Sequence, residues 1–86
     1  MNCEHVEALP VEVTPDATDQ CPDCVAEGTV HWVHLRECLT CGHVACCDSS
    51  PRKHATAHHD ETDHPVIRSY EPGENWRWCY PDARLV

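Results

Sequence analysis

The 86-residue chain has no phenylalanine, one methionine and three glycines, so it has few large apolar side chains from which to build a core. A chain of this length buries only roughly 60–65% of its unfolded surface and is marginally stable on hydrophobic burial alone. Folding therefore needs additional links. Eight cysteines and eight histidines can provide them, either as metal ligands or, for the cysteines, as disulfides.

Positive charge is also scarce, with six Lys and Arg against fifteen Asp and Glu and a formal net charge of −9. An acidic domain lacks the basic surface with which proteins bind nucleic acids or anionic lipids. We therefore expect neither as a partner. No apolar run approaches the roughly 18 residues of a membrane span, and residues 1–5 do not resemble a secretory signal. The expected location is the cytoplasm.

The cysteines and histidines follow a metal-site pattern. The chain carries Cys21-x-x-Cys24, Cys38-x-x-Cys41 and Cys46, followed by His54, His58 and His64. Two thiolates on one tight turn can bind one face of a tetrahedral Zn²⁺. These residues exceed the needs of one ion, so at least two zinc ions are predicted. Disulfides are the competing interpretation, but the interleaved histidines favour zinc.

The remaining pattern predicts a small α+β domain. Four strands are expected, at 29–37, 43–46, 66–70 and 76–80. Residues 1–20 are expected to form a loop, with turns at 21–24, 27–28 and 71–74. Ser49-Ser50-Pro51 is typical of a helix start, and His64-Pro65 of a helix end, so the one predicted helix covers 51–61. We expect a single domain, residues 1–86, with a short, mostly antiparallel sheet and this one helix. Bound zinc is expected to stabilise it.

His54 and His58 are four residues apart and therefore share one face of the predicted helix. The helix could bridge two neighbouring zinc ions or contribute both histidines to one ion. The residues by themselves leave both arrangements open.

Taken together, these motifs and the C-terminal Trp78-Cys79-Tyr80 resemble the UBP-type zinc finger, in particular its small stand-alone bacterial members. This family includes the ubiquitin-binding finger of eukaryotic deubiquitinases and of a cytoplasmic histone deacetylase. The resemblance extends from Cys3 to Asp82. It implies a binding module with structural zinc rather than an enzyme.

The resemblance also implies which residues bind each ion, in a cross-braced arrangement. One zinc would take Cys21, Cys24, Cys46 and His54, and a second would take Cys38, Cys41, His58 and His64. A third would join Cys3 and His5 to Cys79 and Asp82. The family has cysteine at this last position, but a carboxylate oxygen also binds zinc, at about 2.0–2.2 Å.

In ubiquitin-binding members, the residues matching Trp78 and Tyr80 line a pocket that receives a free Gly-Gly C-terminus. Two positions differ here: Asp48 replaces the arginine that contacts the bound tail, and Arg36 replaces the second pocket tryptophan. Trp32 lies in the segment most similar to the bacterial members. The candidate partner-binding residues are Trp78, Tyr80, Arg36 and Trp32. The expected partner is a protein or peptide C-terminus, or a ubiquitin-like protein, bound by a monomer.

Two other functions use the same chemistry. Oxidation of the C-x-x-C thiolates would release zinc, with Cys47 as a resolving thiol, which describes a redox or metal sensor. If Asp82 gave its place to water, the third ion would resemble the centre of a small zinc hydrolase. The other histidines, His31, His34, His43 and His59, are expected on strands or on the surface.

Overall fold

The computed structural model describes residues 4–86, so the predicted ligand Cys3 lies outside the described residues. The elements are α1 (Glu4–Glu7), α2 (Pro22–Ala26), β1 (Leu35–Cys38), β2 (Val44–Cys46), α3 (His54–Thr62), β3 (Val66–Ser69), β4 (Arg77–Cys79) and β5 (Arg84–Leu85). The strands form one sheet in the order β2-β1-β3-β4-β5, with every neighbouring pair antiparallel. The predicted α+β class with a short antiparallel sheet is confirmed.

An ion pair with a buried carboxylate marks the register of β1 against β3. Glu37 lies opposite Arg68 in this pairing, and its carboxylate accepts a hydrogen bond from the Arg68 Nε at 2.6 Å. Glu37 is only 2% exposed. Because an unpaired buried carboxylate is costly, a shift of one residue between these strands would be strongly disfavoured.

The core is small, and much of it is sulfur. One cluster of buried residues consists of Cys21, Cys24, Leu35, Val44 and Cys46, and a second consists of Val66 and Cys79. Valines are the largest side chains that are fully buried among residues 4–86. Buried cysteine acts as a small apolar side chain, so five of the candidate metal ligands are also core residues: Cys21, Cys24, Cys38, Cys46 and Cys79.

The first predicted strand is shorter in the structure than in the sequence analysis. Residues 29–34 are irregular, and β1 begins at Leu35. Val30 and Val33 belong to the two opposite faces of the predicted strand, but both are exposed. The Val33 N–H donates to the Ser50 hydroxyl at 2.8 Å rather than to a strand. The other three predicted strands match β2, β3 and β4 to within one residue at each end.

The main helix also starts later than predicted, at His54 rather than at residue 51. Lys53 at the N-cap has a left-handed backbone (φ 50°), which keeps the preceding Ser-Pro segment out of the helix. Asp63, also left-handed (φ 60°), ends the helix just before His64-Pro65.

Three short elements were not predicted: α1, α2 and the two-residue β5. The predicted turn at 21–24 is part of α2, where the Cys21 sulfur caps the helix by accepting the Cys24 N–H at 3.4 Å. Among residues 4–86, no helix is long and apolar enough to cross a membrane.

Candidate metal centre and adjoining pocket

The first cluster, Cys21, Cys24, Cys46 and His54, is fully buried. Its cysteines come from the start of α2 and the end of β2, and its histidine is the first residue of α3. The Cys24 and Cys46 sulfurs are 3.8 Å apart, and the His54 Nδ1 lies 3.4, 3.2 and 3.3 Å from the three sulfurs. With bonds of about 2.3 Å to sulfur and 2.0–2.1 Å to nitrogen, a zinc tetrahedron has S···S edges of about 3.8 Å and S···N edges of about 3.5 Å. These four residues fit a zinc ion.

The His54 ring is oriented by Glu27. The Glu27 Oε1 lies 2.6 Å from His54 Nε2, so this nitrogen donates the hydrogen bond and Nδ1 is left to face the sulfurs. Such a carboxylate commonly orients a metal-binding histidine and raises its basicity. The second Glu27 oxygen lies 3.4 Å from Arg52 Nε. No pattern in the sequence marks Glu27, because it is not a candidate ligand and belongs to none of the ligand motifs.

The second cluster, Cys38, Cys41, His58 and His64, is more open, with Cys41 exposed. The Cys38 sulfur lies 3.4 Å from His64 Nδ1, and the Cys41 sulfur lies 3.4 Å from His58 Nε2. The two histidine nitrogens are 3.3 Å apart. This distance equals the N···N edge of about 3.3 Å in a zinc tetrahedron, so these residues also fit a zinc ion.

The two clusters are crossed along the chain. Each combines a C-x-x-C pair with a histidine of α3, because His54 belongs to the first cluster and His58 to the second. Of the two arrangements that the sequence left open, the structure has the helix bridging two clusters.

Burial makes the charged form of several thiols in the two clusters unfavourable. Burial raises the pKa of Cys21 and Cys38, and burial together with the neighbouring sulfurs raises the pKa of Cys24. These thiols would therefore lose their protons only with a cation between them, as in a metal site. The seven cysteines within residues 4–86 form no disulfide with one another, which agrees with the metal interpretation.

The third cluster joins the two ends of the chain. The His5 Nδ1 of α1 lies 3.4 Å from the Cys79 sulfur of β4 and 3.6 Å from Asp82 Oδ1. The other Asp82 oxygen lies 3.9 Å from Arg84 Nε. The ligand atoms of His5, Cys79 and Asp82 lie within 4.8 Å of one another, which is close enough to share one zinc ion. The remaining predicted ligand, Cys3, is outside the described residues.

His43 contacts residues next to both of the larger clusters. Its ring nitrogens lie 2.6 Å from Asp16 and 2.7 Å from Asp23, and its ring centroid lies 4.8 Å from that of His58. Burial alone would lower the His43 pKa, but the two carboxylates raise it above the ordinary value. Burial would raise the Asp16 pKa, but hydrogen bonds from the Val44 N–H and His43 lower it. The sequence analysis treated His43 as an ordinary surface or strand histidine and missed this role.

A pocket of about 320 Å³ lies beside these clusters. Three of the four predicted partner-binding residues, Arg36, Trp78 and Tyr80, line it. Trp32 does not: it packs against the first core cluster and lines a different cleft. Trp76 and Leu85 also line the pocket and were not predicted there.

The pocket wall carries one cation and one carboxylate. The Arg36 Cζ lies 4.5 Å from the Trp76 ring centroid, a cation–π arrangement. Asp48 Oδ1 accepts the Thr56 hydroxyl at 2.5 Å, and the Thr56 Oγ1 also lies 3.3 Å from the Tyr80 hydroxyl. The Tyr80 ring stacks on His59 with centroids 4.3 Å apart, and burial raises the pKa of the Tyr80 hydroxyl.

Cys47 lies in the same pocket wall and in none of the three clusters. It is only 4% exposed, and its sulfur lies 3.6 Å from the Ser50 hydroxyl. Burial would raise its pKa, but hydrogen bonds from Ser50 and backbone N–H groups and the Arg36 charge lower it.

A small sheet with crossed Cys/His clusters defines a zinc-binding module. Residues 21–86 match the family model described as "Zn-finger in ubiquitin-hydrolases and other protein", and the chain belongs to this zf-UBP family. The solution NMR structure of protein RPA1320 from Rhodopseudomonas palustris is 50% identical, with a TM-score of 0.86. The match covers 99% of this chain and 80% of that one. No curated protein matches the chain. The resemblance to small bacterial members is confirmed.

Proposed function

We propose that this zinc-binding module captures the free C-terminus of a partner protein in the pocket lined by Arg36, Trp76, Trp78 and Tyr80. The observation that carries the proposal is the position of Arg36. The family's tail-contacting arginine is Asp48 here, and Arg36 places a guanidinium in the same pocket from β1. Two other arginines have partners within the chain: Arg52 pairs with Glu27, and the Arg77 Nε donates to the Val86 carbonyl oxygen at 3.2 Å.

Arg36 is available to an anionic ligand. Its Nη1 donates to the Leu35 carbonyl oxygen at 3.0 Å, and within residues 4–86 no carboxylate oxygen lies within 4.0 Å of its nitrogens. Guanidinium groups bind carboxylates with strong, directional hydrogen bonds. A terminal carboxylate would therefore gain a partner that the chain itself does not occupy.

The start of α3 favours an anion in the same place. Ala55 lines the pocket, and Lys53 at the N-cap makes no side-chain hydrogen bond to the first turn. The first N–H groups of a helix carry its positive dipole end. The His54 N–H donates to the Cys46 sulfur at 3.2 Å, so the dipole end, and not this N–H group, would add to the attraction that Arg36 exerts on a carboxylate.

The size of the pocket fits a chain end. Its volume of about 320 Å³ is at the lower limit of the roughly 300–1,000 Å³ typical of ligand pockets. The aromatic side chains supply apolar surface, and the single cation supplies the polar contact that would select a terminus.

We also propose that each cluster binds one zinc ion, with Cys3 completing the third. Four protein ligands leave no position for a reactive water, so these ions would be structural and would supply folding free energy. The module would then act by binding, as a monomer in a reducing cytoplasm, and its acidity argues against nucleic acid as its partner.

Calorimetric titration with matched peptides tests the capture of a C-terminus. We expect peptides with a free carboxylate to bind, and their C-terminal amides to bind at least about tenfold more weakly because a charge-assisted hydrogen bond is lost. Arg36→Gln should remove this difference. Arg52→Gln is the control, since it removes the same charge at an exposed position outside the pocket. Equal binding of acids and amides, or no binding, would refute the proposal.

A further inference from the structure

We infer that the pocket selects C-terminal tails that carry a lysine or arginine close to the terminal carboxylate, and that Asp48 binds this basic side chain. The inference rests on the proposed function, and it gives a binding role to Asp48, the second charged residue of the pocket. In the family this position carries the arginine that contacts the tail, so a carboxylate there changes which tail is accepted.

Asp48 is fixed in position and still able to bind. One of its oxygens accepts the Thr56 hydroxyl, which holds the carboxylate beside the first turn of α3. Its other oxygen accepts no hydrogen bond from the described part of the chain, and the side chain forms no ion pair there. The residue is exposed, so a ligand in the pocket can reach it.

The opposite charges of the pocket do not neutralise one another. Arg36 and Asp48 line the same space, but they form no ion pair within 4.0 Å. A ligand with a carboxylate alone would gain Arg36 and be repelled by Asp48. A ligand with both charges would gain both contacts, so the pocket discriminates by repulsion as well as by attraction.

Two further features favour a basic side chain. The tryptophan and tyrosine rings offer apolar faces against which the methylene stem of lysine or arginine packs while its charged end reaches a carboxylate. The chain as a whole has a formal charge of −9. A field of this sign attracts a cationic tail during association more than an acidic one.

The test uses acetylated hexapeptides of alanine and glycine in which a single lysine occupies the last, second-last or third-last position. Glutamine replaces the lysine in a second set, and both sets are made as free acids and as C-terminal amides. Binding is measured by calorimetry on the zinc-loaded full chain. The variants are Asp48→Asn, whose amide oxygen still accepts the Thr56 hydroxyl, and Asp19→Asn, which removes one exposed carboxylate outside this pocket.

We expect the best lysine peptide to bind the unaltered protein about tenfold more tightly than its glutamine counterpart, as for one charge-assisted contact. Asp48→Asn should reduce this ratio to about twofold or less, whereas Asp19→Asn should keep it. The zinc content of each variant, measured by mass spectrometry, shows whether the fold is retained.

Two results would overturn this inference alone. One is free-acid binding with no preference for lysine in the unaltered protein, which would refute the role of Asp48 and leave the capture of a C-terminus standing. The other is a lysine preference that survives Asp48→Asn, which would assign the selectivity to another carboxylate. Acids that bind no better than amides, or no binding by any peptide, would refute the proposed function itself and this inference with it.

Discussion

Single residues that bind no metal hold the ligands of the first two clusters in place. Glu27 fixes the orientation of the His54 ring through a 2.6 Å hydrogen bond. His43 ties Asp16 and Asp23 together beside both C-x-x-C pairs. Asp16 in turn accepts the Val44 N–H at 2.8 Å and so fixes residues 14–16 to the start of β2. These contacts decide how rigidly the ligands are presented.

Replacing Glu27 should weaken the first metal site without removing a ligand. We expect Glu27→Gln to lower its zinc affinity about 10- to 100-fold, because the charged partner that orients and polarises His54 is lost. Competition with a chromogenic chelator measures the change. Glu71→Gln, which removes a carboxylate outside all three clusters, is the control. Equal affinities in the two variants would contradict the role given to Glu27.

Gly42 tests how closely the N-terminal segment packs on the second C-x-x-C turn. Its φ is +83°, and an added Cβ would lie 2.1 Å from the Thr14 carbonyl oxygen. Gly28 has the same φ, with nothing within 4 Å of its Cβ position. The left-handed backbone should cost about 1–2 kcal/mol in either alanine variant. The clash in Gly42→Ala should cost about 1–3 kcal/mol more.

Thermal unfolding at fixed free zinc compares the two glycine variants. We expect Gly42→Ala to melt several degrees below Gly28→Ala, since about 1 kcal/mol lowers the melting temperature of a domain of this size by about 4–8 °C. Equal melting temperatures would show that residues 14–16 are not packed against Gly42 in solution.

Among the elements, α3 depends most on the metal clusters. It has nine residues, and only His54 and Ala55 are buried, so it has no apolar stripe with which to pack on the sheet. A helix this short is marginal by itself in water. Besides the Thr56–Asp48 hydrogen bond and the stacking of His59 on Tyr80, its main links to the rest of the chain are two histidines in separate clusters.

Removal of zinc should therefore unfold α3. We expect dialysis against a strong chelator to abolish most of the helical circular dichroism signal, and added zinc to restore it, because the binding free energy of structural zinc is also folding free energy. Magnesium serves as the control ion, since it prefers oxygen ligands. A helical signal that survives complete zinc removal would contradict this account.

The sequence predicted the elements that carry strong local signals and missed those made by tertiary contacts. The Cys and His spacing and the alternating segments of β2, β3 and β4 were sufficient to predict the class of fold. Alternation at 29–34 did not produce a strand, since Val33 donates to Ser50 instead. The helix start at Ser49-Ser50-Pro51 was displaced by the left-handed Lys53, and β5 is too short to leave a periodic pattern.

The clusters were more predictable than the pocket. The resemblance to the UBP-type finger named the residues that the structure brings together in each cluster, apart from Cys3, which lies outside the described residues. The pocket depends on which side chains from separate strands face one space. Trp76 and Leu85 line it through the pairing of β4 with β3 and β5, and Trp32 faces elsewhere, which no local pattern indicates.

For the whole molecule, the third cluster connects the chain ends to the pocket. Cys79 lies between the pocket residues Trp78 and Tyr80, and Asp82 lies in the turn that leads to Leu85. A zinc ion held by this cluster would fix that turn against α1. Metal binding there and peptide binding in the pocket would then favour one another, since a ligand that orders a site lowers the cost of the next.

Asp82→Ala should therefore weaken peptide binding although Asp82 does not line the pocket. We expect a loss of about 5- to 10-fold, at the lower end of typical coupling between two sites. Asp19→Ala, which removes an exposed carboxylate outside the pocket and outside the three clusters, is the control. Unchanged affinity in Asp82→Ala would separate the pocket from the third cluster.

Native mass spectrometry of the purified protein, with zinc ions counted in the unaltered chain and in Asp82→Ala, tests the central claim most directly. The account predicts three ions in the first and two in the second, because each cluster binds one ion and only the third uses a carboxylate. Two ions in both proteins would remove the third site. A folded chain that carries no zinc would contradict the whole account, since the clusters would then be core residues without a metal function.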